Sequence, residues 1–361
     1  MARPKRRRPC APPAPTLLLL CLPRLQSATP PDVVFLLADD LGYNEMNFMN
    51  QTRGIQTPHL DRLAFDGIIL KNYYVQPICS PTRSALLTGR YTIRLGTQSN
   101  VVWYDSPWGL PLNETLLSQN LGDAGYSTAL FGKWHLGMYK QEYTPARRGF
   151  DEHMGYYQGC ESRYTHVSAC CTPGSSNDDM NMTCAQLGTD GTNGTQRGCE
   201  FALGYDWWKT GPAPHGGNSV PDLSVNRTSS ALLLRDASID FIRRAGLRPD
   251  RPFFLYVPFQ NVHNPYTVAE EYRQLYAAAS FTADERTLFG YISEMDDVVG
   301  AIVAALNSNT SSTSSGTSNG LAGAPAAVSL PRYDNSIIIF SSDNVSRLDT
   351  HTHTSFCVGA A

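Results

Sequence analysis

The sequence predicts an α/β sandwich with a mostly parallel sheet and helices on both faces. Apolar residues form four short continuous runs, and segments with helical spacing lie between them. A strand that is apolar at every position is typical of a sheet covered on both faces. Strands that alternate with helices indicate a parallel sheet. The predicted strands are Val33–Leu37, Thr128–Phe131, Phe253–Val257 and Ile337–Phe340.

The helices between these strands are predicted from their caps and spacing. Ser80 is a favourable N-cap, Pro81 suits the first helical position, and Gly89 ends the helix that begins after Cys79. A stripe of apolar residues along a later segment is expected to face the core. The other predicted helices cover residues 112–124, residues 229–245, and the segment with the stripe Leu288, Tyr291, Met295, Val298 and Ile302.

Two long polar stretches are expected to interrupt this pattern. Residues 160–226 are predicted to form a loop-rich excursion, in which Trp207–Trp208 either stack on a sugar or aryl group or bury apolar area. Residues 307–331 are rich in Ser, Thr, Gly and Ala and are predicted to form a flexible surface loop before the last strand.

Composition and the N-terminus indicate a globular protein of the secretory route. The net charge of −3 gives no indication of a nucleic-acid partner, and no later segment is apolar for long enough to cross a membrane. Lys5–Arg8 followed by Leu17–Leu22 predicts a signal peptide over residues 1–28. The apolar run is short, so a basic nuclear-localisation tract stays open as the alternative.

Glycosylation sequons and clustered cysteines also favour the secretory route, with a lysosomal or extracellular destination. In an oxidising compartment such a cysteine cluster predicts a disulfide-stapled loop, while the C-x-x-C pairs typical of zinc sites are absent from it. A glycan at Asn344 would be incompatible with the metal site predicted there. The sequons are at Asn50, Asn113, Asn181, Asn193, Asn226, Asn309 and Asn344, and the clustered cysteines are Cys160, Cys170, Cys171, Cys184 and Cys199.

Polar or charged residues follow each predicted strand at its carboxyl end. Ligands of open α/β sheets bind at this edge, so four polar strand ends beside the Cys79 helix predict one site. The strand-end residues are Asp39 and Asp40, Lys133 and His135, Gln260 and His263, and Asp343 and Asn344.

The residue types predict a divalent-metal and anion site. The carboxylates and the amide are hard oxygen ligands that suit Ca²⁺ or Mg²⁺, although Asp and Asn also begin turns. Arg83 and Lys133 would supply fixed positive charge for an oxyanion, or else form a solvated surface pair. His135 and His263 are candidate proton carriers. Cys79 either faces an anion at a helix start or is an ordinary buried cysteine.

The segment Cys79–Arg90 resembles the signature of type I sulfatases, C-x-P-x-R followed by a run ending in T-G-R. Further sequence blocks resemble the family and occur in the same order as they do in the family. Among sulfatases the sequence is most similar to the arylsulfatase B, or N-acetylgalactosamine-4-sulfatase-like, group. The resemblance implies an alkaline-phosphatase-like fold with a catalytic domain over residues 30–344. The blocks are Thr57–Asp61, Phe131–Gly137, Arg148–Asp151 and Ser341–Asn344.

The same resemblance implies the chemistry. Cys79 would be oxidised to formylglycine by a formylglycine-generating enzyme and hydrated to a diol. One hydroxyl attacks the sulfur of a sulfated carbohydrate or aryl sulfate, His263 protonates the leaving group, and His135 takes the second hydroxyl's proton. Arg83 and Lys133 bind the sulfate. The diol at position 79 would share one Ca²⁺ ion with Asp39, Asp40, Asp343 and Asn344.

The resemblance ends at Asn344, because residues 345–361 match nothing in the family, and His351 and His353 are assigned to this tail. A second active-site lysine and the family's small C-terminal domain have no counterpart here, so we expect this chain to be weakly active or inactive. A non-catalytic truncated isoform or gene-model fragment that binds sulfated glycans is the alternative function. A phosphatase or phosphodiesterase of the same superfamily is disfavoured, since it would want Ser or Thr at position 79.

Overall fold

The computed structural model describes residues 30–49, 54–168, 204–210, 217, 219–277, 280–308 and 332–344, together with the backbone of 354–360. The predicted signal peptide, almost all of the predicted inserted loop and four of the five clustered cysteines lie outside these residues. The strands are β1 Asp32–Ala38, β2 Ile68–Tyr73, β3 Ser127–Phe131, β4 Glu152–Gly155, β5 Val167–Ser168, β6 Gly204–Tyr205, β7 Trp208–Thr210, β8 Val220–Pro221, β9 Phe253–Pro258, β10 Ser336–Ser342 and β11 Thr354–Ala360. The α-helices are α1 Pro58–Phe65, α2 Cys79–Thr88, α3 Thr92–Leu95, α4 Leu117–Asp123, α5 Ser230–Gly246, α6 Glu270–Gln274 and α7 Ala283–Asn307.

One mixed sheet organises the molecule, and its strand order is β2-β11-β10-β1-β9-β3-β4-β7-β8. The five strands from β10 to β4 are parallel, and the outer pairs are antiparallel. The four strands predicted from apolar runs are adjacent in this centre, so the prediction of a mostly parallel sheet is confirmed.

Alternate residues of β1 enter two different cores. Val34 and Leu36 belong to a cluster that includes residues of α1, α5 and α7. Phe35 and Leu37 belong to a second cluster, with residues of α2 and α3. Because side chains of a strand point alternately to opposite faces, the sheet carries helices on both faces, as predicted.

Helices α5 and α7 agree with the predicted segments, whereas α4 is shorter than predicted. A capping box begins α7, since the Thr282 hydroxyl accepts from Glu285 N (3.2 Å) and the Glu285 carboxylate accepts from Thr282 N (2.9 Å). The prediction that a helix starts at residue 112 is wrong. Glu114 N closes a turn onto Pro111 O (3.2 Å), and α4 starts only at Leu117.

Of the two tryptophans of the excursion, Trp207 is buried and Trp208 is half-buried. Trp207 is fully buried and stacks on Tyr156 with ring centroids 6.5 Å apart, so it buries apolar area. Trp208 stacks on Tyr157 at 5.2 Å. Cys160 is disulfide-bonded, and its partner lies beyond the described residues.

The tail takes part in the sheet. The backbone of β11 runs antiparallel to both β10 and β2 and fills the position between them. A segment whose sequence matches nothing in the sulfatase signature therefore contributes a strand. No helix in the described part of the chain is long and apolar enough to span a membrane.

Candidate active site

The ends of the central strands are joined by backbone hydrogen bonds that continue beyond the strands. Asp39 N donates to Asn261 O (2.8 Å), and Asn261 is followed by Val262, whose N donates back to Asp39 O (2.7 Å). Asp343 N donates to Ala38 O (3.0 Å). The side chains at these strand ends therefore project from a backbone in fixed register with the sheet.

Gly132 lets the end of β3 pack closely against β9, so that Lys133 lies at the same carboxyl edge of the sheet. Its φ is +133°, which side chains rarely tolerate, and a Cβ at this position would lie 2.0 Å from Pro258 O. Lys133 N donates to that same Pro258 carbonyl (2.9 Å). A side chain at position 132 would therefore push β3 away from β9.

Three carboxylates and the Cys79 thiol converge at this edge. One ligand atom from each of Asp39, Asp40, Cys79 and Asp343 lies within 4.8 Å of all the others. Asp39 and Asp343 are fully buried. The Asn344 amide donates to Asp40, and its Oδ1 is buried without a hydrogen-bond partner among the described residues. The arrangement presents several oxygen ligands to one small volume.

Two buried cations lie against these carboxylates. Arg83 Nη2 is 2.7 Å from Asp343 Oδ2 and 3.3 Å from Asp39 Oδ1. Lys133 Nζ is 2.7 Å from Asp39 Oδ2. Two positive side chains therefore face three carboxylates, which leaves a surplus of negative charge for a further cation.

The ionisation of these groups follows from burial and from each other. Burial raises the pKa of Asp343, the neighbouring Asp39 raises it further, and Arg83 opposes both. Burial alone would lower the pKa of Lys133, but the Asp39 carboxylate raises it above its usual value. Lys133 is therefore a fixed positive charge.

Cys79 is the first residue of α2, which ends at Gly89 with a left-handed φ of 66°. The prediction that Ser80 caps this helix is wrong, because the N-cap is Ile78. Ser80 is instead the second helical residue, and its hydroxyl bonds to the chain beyond the helix.

The Cys79 thiol is a poor nucleophile as it stands. It is buried, and its Sγ is 3.7 Å from Asp39 Oδ1. Burial raises the pKa of the thiol well above its usual value, although the Lys133 charge opposes this. A protonated thiol lacks the reactivity of a thiolate.

His135 is buried beside the cations. Its pKa is held well below the usual value by burial, then by the charges of Lys133, Arg83 and His263. Its Nδ1 is buried and has no hydrogen-bond partner in the described part of the chain. Burial and the neighbouring positive charges therefore favour the neutral form of His135.

His263 lies at the open side of the cluster. Its side chain is 17% exposed, and its Nε2 is 3.7 Å from Asp40 Oδ2. The other ring nitrogen, Nδ1, is 2.6 Å from Asn264 O. A group in this position can exchange protons with both solvent and a bound molecule.

The structure brings the predicted site residues together, apart from one strand-end residue. Gln260 turns away, and its side-chain amide donates to Glu161 O (2.5 Å). The residues brought together are Asp39, Asp40, Cys79, Arg83, Lys133, His135, His263, Asp343 and Asn344.

Sequence reasoning missed the residues that support this cluster. The side chain of Asn261 donates to Tyr291 O (3.0 Å) and so ties the Asp39 partner to α7. Arg163 and Glu294 form a buried ion pair beside it. Asn261 and Arg163 contact residues that are distant in sequence, so the pattern of the sequence does not indicate these contacts. Only Asn261 has a local signal, its position directly after a predicted strand.

A cavity of about 370 Å³ lies on the other flank of α2. It is lined by Thr82, Ala85 and Leu86 of this helix and by Ser341 and Ser342 of β10. None of the nine site residues lines it, so the cavity and the carboxylate cluster are neighbouring but separate features.

The chain belongs to the sulfatase family. The Sulfatase family model matches residues 31–314. This range includes seven of the nine site residues, all but Asp343 and Asn344. This agrees with the type I sulfatase signature at Cys79. The assignment to an arylsulfatase B-like subgroup stays a prediction.

Several curated proteins are similar to this chain over about half of their own length. Arylsulfatase J of Mus musculus is 31% identical over 317 residues, which is 87% of this chain and 42% of that protein. Arylsulfatase A of Homo sapiens is 30% identical, over 81% of this chain and 52% of that protein. N-acetylgalactosamine-6-sulfatase of Rattus norvegicus is 30% identical, over 81% and 50%.

Solved sulfatase-type structures share the fold. The crystal structure of Ps i-CgsB in complex with k-i-k-neocarrahexaose matches with a TM-score of 0.66 and 25% identity, over 92% of this chain and 66% of that one. The PsFucS1 sulfatase from Pseudoalteromonas sp. matches with a TM-score of 0.65 and 25% identity, over 91% and 62%. The alkaline-phosphatase-like architecture predicted from the resemblance is thereby confirmed.

Proposed function

We propose that the protein hydrolyses sulfate esters, using formylglycine derived from Cys79 and one bound divalent cation. The observation that carries the proposal is the convergence of Asp39, Asp40, Asp343 and position 79 within 4.8 Å, against Arg83 and Lys133. Family membership supports the same chemistry.

The residues present fit a Ca²⁺ ion. Three carboxylates exceed two cations, and the buried Asn344 Oδ1 has no partner among the described residues, so an oxygen ligand is left for a metal. Oxygen-only donors suit Ca²⁺ or Mg²⁺, and Ca²⁺ accepts the larger number of protein oxygens. A cation held by Asp39, Asp40, Asp343, Asn344 and position 79 would supply positive charge for the oxygens of the ester.

The protein's own side chains then bind and orient the ester. Arg83 and Lys133 are already held by carboxylates, so their charges need no rearrangement when negative charge develops on the sulfate oxygens. Formylglycine, once hydrated, supplies a hydroxyl nucleophile and a second hydroxyl, which the protonated thiol lacks.

Two histidines are proposed to move the protons. His263, at the open side, protonates the leaving alcohol or phenol. His135, whose Nδ1 has no partner among the described residues, accepts the proton of the second hydroxyl, so that the aldehyde re-forms as the C–O bond to the sulfate breaks and sulfate leaves. The two roles suit their positions, because the leaving group departs toward solvent while the nucleophile stays inside.

The substrate is proposed to be a sulfated carbohydrate, most similar to an N-acetylgalactosamine 4-sulfate. The resemblance of the sequence to the arylsulfatase B-like group and the neocarrahexaose complex of Ps i-CgsB support this class of substrate. The disulfide at Cys160 and the exposed sequons at Asn113 and Asn226 support the secretory route, lysosomal or extracellular, in which the formylglycine-generating enzyme would act.

Turnover of an aryl sulfate tests the proposal. The chain is co-expressed with a formylglycine-generating enzyme, and the modified fraction at position 79 is measured by mass spectrometry. We expect Ca²⁺-dependent hydrolysis that falls by about 10³-fold or more in Cys79→Ala, since the nucleophile is lost. Ser84→Ala, in the same helix, is the control and keeps the rate.

The decisive comparison is between wild type and Cys79→Ala, whatever the absolute rate. Equal rates in the two proteins would contradict the proposal. A modified protein that shows no turnover but binds a sulfated oligosaccharide would favour the non-catalytic alternative.

A further inference from the structure

We propose that Ser80 is a positioning residue for His135. It rests on the proposed role of His135 as a base, but the contacts that carry it are independent of that role. The Ser80 hydroxyl donates to His135 O (2.8 Å) and accepts from Val102 N (3.0 Å). Ser80 is fully buried, so both of its bonds are shielded from water.

Val102 closes a ring of contacts around His135. Its N–H donates to the Ser80 hydroxyl, and its backbone carbonyl accepts from the imidazole, which raises the pKa of His135 against the larger effect of burial. One helix, one loop and the strand end that carries His135 therefore meet at a single serine.

The backbone of His135 has a conformation that must be held in place. Its φ is +57°, in the left-handed region that a residue with a Cβ rarely adopts. His135 N donates to Tyr157 O (3.1 Å), and Ser80 holds the carbonyl on the other side. The two bonds fix both peptide groups of the residue.

The ring is held by packing rather than by a carboxylate. A Cβ on Gly159 would lie 2.8 Å from His135 Cε1 and 3.0 Å from Nε2, so the imidazole fills the space that this glycine leaves. Nδ1 has no partner within the described residues. The orientation of the imidazole therefore depends on this packing, on the Val102 backbone and on the backbone of His135 itself, and Ser80 contacts both of these backbone segments.

Nuclear magnetic resonance of histidine Cε1–H groups tests the proposal directly. The chain has eight histidines, and the signal of His135 is assigned by its loss in His135→Gln. In Ser80→Ala we expect this signal to move by more than its linewidth or to broaden. Ser80→Thr keeps the hydroxyl and should restore the wild-type position.

Ser84 provides a matched control on the same helix. It is also buried, and its hydroxyl bonds to Pro81 O (2.8 Å) and to Thr97 Oγ1 (2.7 Å) without reaching His135. Ser84→Ala should leave the His135 signal unchanged. The proposal is overturned if Ser80→Ala leaves the signal in place, or if Ser84→Ala moves it equally.

Kinetics and a second variant complete the test. Ser80→Ala should lower kcat for an aryl sulfate about 10-fold at unchanged formylglycine content, with KM little altered, because orientation rather than binding is lost. If Ser80→Ala does not fold, Ser80→Cys, which replaces the hydroxyl by a weak thiol donor on a side chain of similar shape, should displace the same signal, and an unmoved signal there overturns the proposal. The signal reports the Ser80 contact even if the protein hydrolyses no sulfate ester.

Discussion

At the scale of single residues, the cationic side chains of the site are paired before any ligand binds. Arg83 lies between Asp39 and Asp343, and Lys133 contacts Asp39. These pairs connect residues that are far apart in sequence. The strand-end rule predicted that they would meet, because it places polar residues at one edge of the sheet. It could not predict that Ser80 would bond to His135 instead of capping its own helix, because that contact spans 55 residues.

His153 should make stability depend on pH. It is buried, stacks on Tyr157 at 5.3 Å and has neither ring nitrogen bonded within the described residues. Burial lowers the pKa of His153 to about 3 from its ordinary 6.5. The unfolded chain therefore binds a proton below pH 6.5 that the folded chain refuses, and stability is lost as pH falls from 6.5 toward 3.

His153→Phe should remove this loss while keeping the stacking. We expect the stability of the variant relative to wild type to rise by about 2 kcal/mol between pH 7 and pH 5, measured by urea unfolding. His59→Gln replaces an exposed histidine and serves as the control. A constant difference between His153→Phe and wild type across this range would show that His153 is protonated as easily in the folded state.

At the scale of elements, helices with strong local sequence signals were predictable. Helix ends that depend on a turn and on a tertiary contact were not. The apolar stripe from Leu288 to Ile302 predicted α7, and the start of this helix, which was not predicted, depends on the local capping pair of Thr282 and Glu285. The start of α4 depends on a turn at Pro111 and on Glu114, which pairs with Arg90 (2.6 Å). That pairing is tertiary, so spacing alone placed the helix five residues too early.

Strand β11 yields a prediction about the tail. It has a neighbour on each side, so each of its N–H groups faces a ladder, and proline would remove one bond. Val358→Pro, opposite Ile339 of β10 and Ile68 of β2, should lower the free energy of unfolding by about 1–3 kcal/mol, the cost of one lost hydrogen bond with its partner left unsatisfied.

Hydrogen exchange locates that effect. Amides of β10 should exchange faster in Val358→Pro, while those of β9, which pairs with β1 and β3, should be unchanged. Unaltered protection in β10 would mean that residues 354–360 do not pair with it in solution.

At the scale of the whole molecule, the sheet brings polar residues that are spread along the sequence together in one site. The strands β10, β1, β9 and β3 are adjacent and parallel, so their carboxyl ends meet at one edge although the residues there span from Asp39 to Asn344. Apolar runs predicted these strands because they are buried on both faces. The outer strands β2, β7 and β8 are short or exposed and carry no such signal, so the width of the sheet was not predictable.

Ca²⁺-induced stabilisation tests the central claim, a single cation site at this edge, most directly. Wild type, Asp343→Asn and Asp297→Asn are melted with and without Ca²⁺. Asp297 belongs to a second acidic group, with His59 and Asp296, in which Asp296 accepts from Leu60 N (2.7 Å) at the start of α1. It is therefore a matched control outside the site.

We predict that Ca²⁺ at about 100 times its Kd stabilises wild type and Asp297→Asn by about 2.7 kcal/mol, seen as a higher Tm, and Asp343→Asn by much less. Equal Ca²⁺ shifts in wild type and Asp343→Asn, or a shift lost only in Asp297→Asn, would contradict a cation site formed by the ends of β1 and β10.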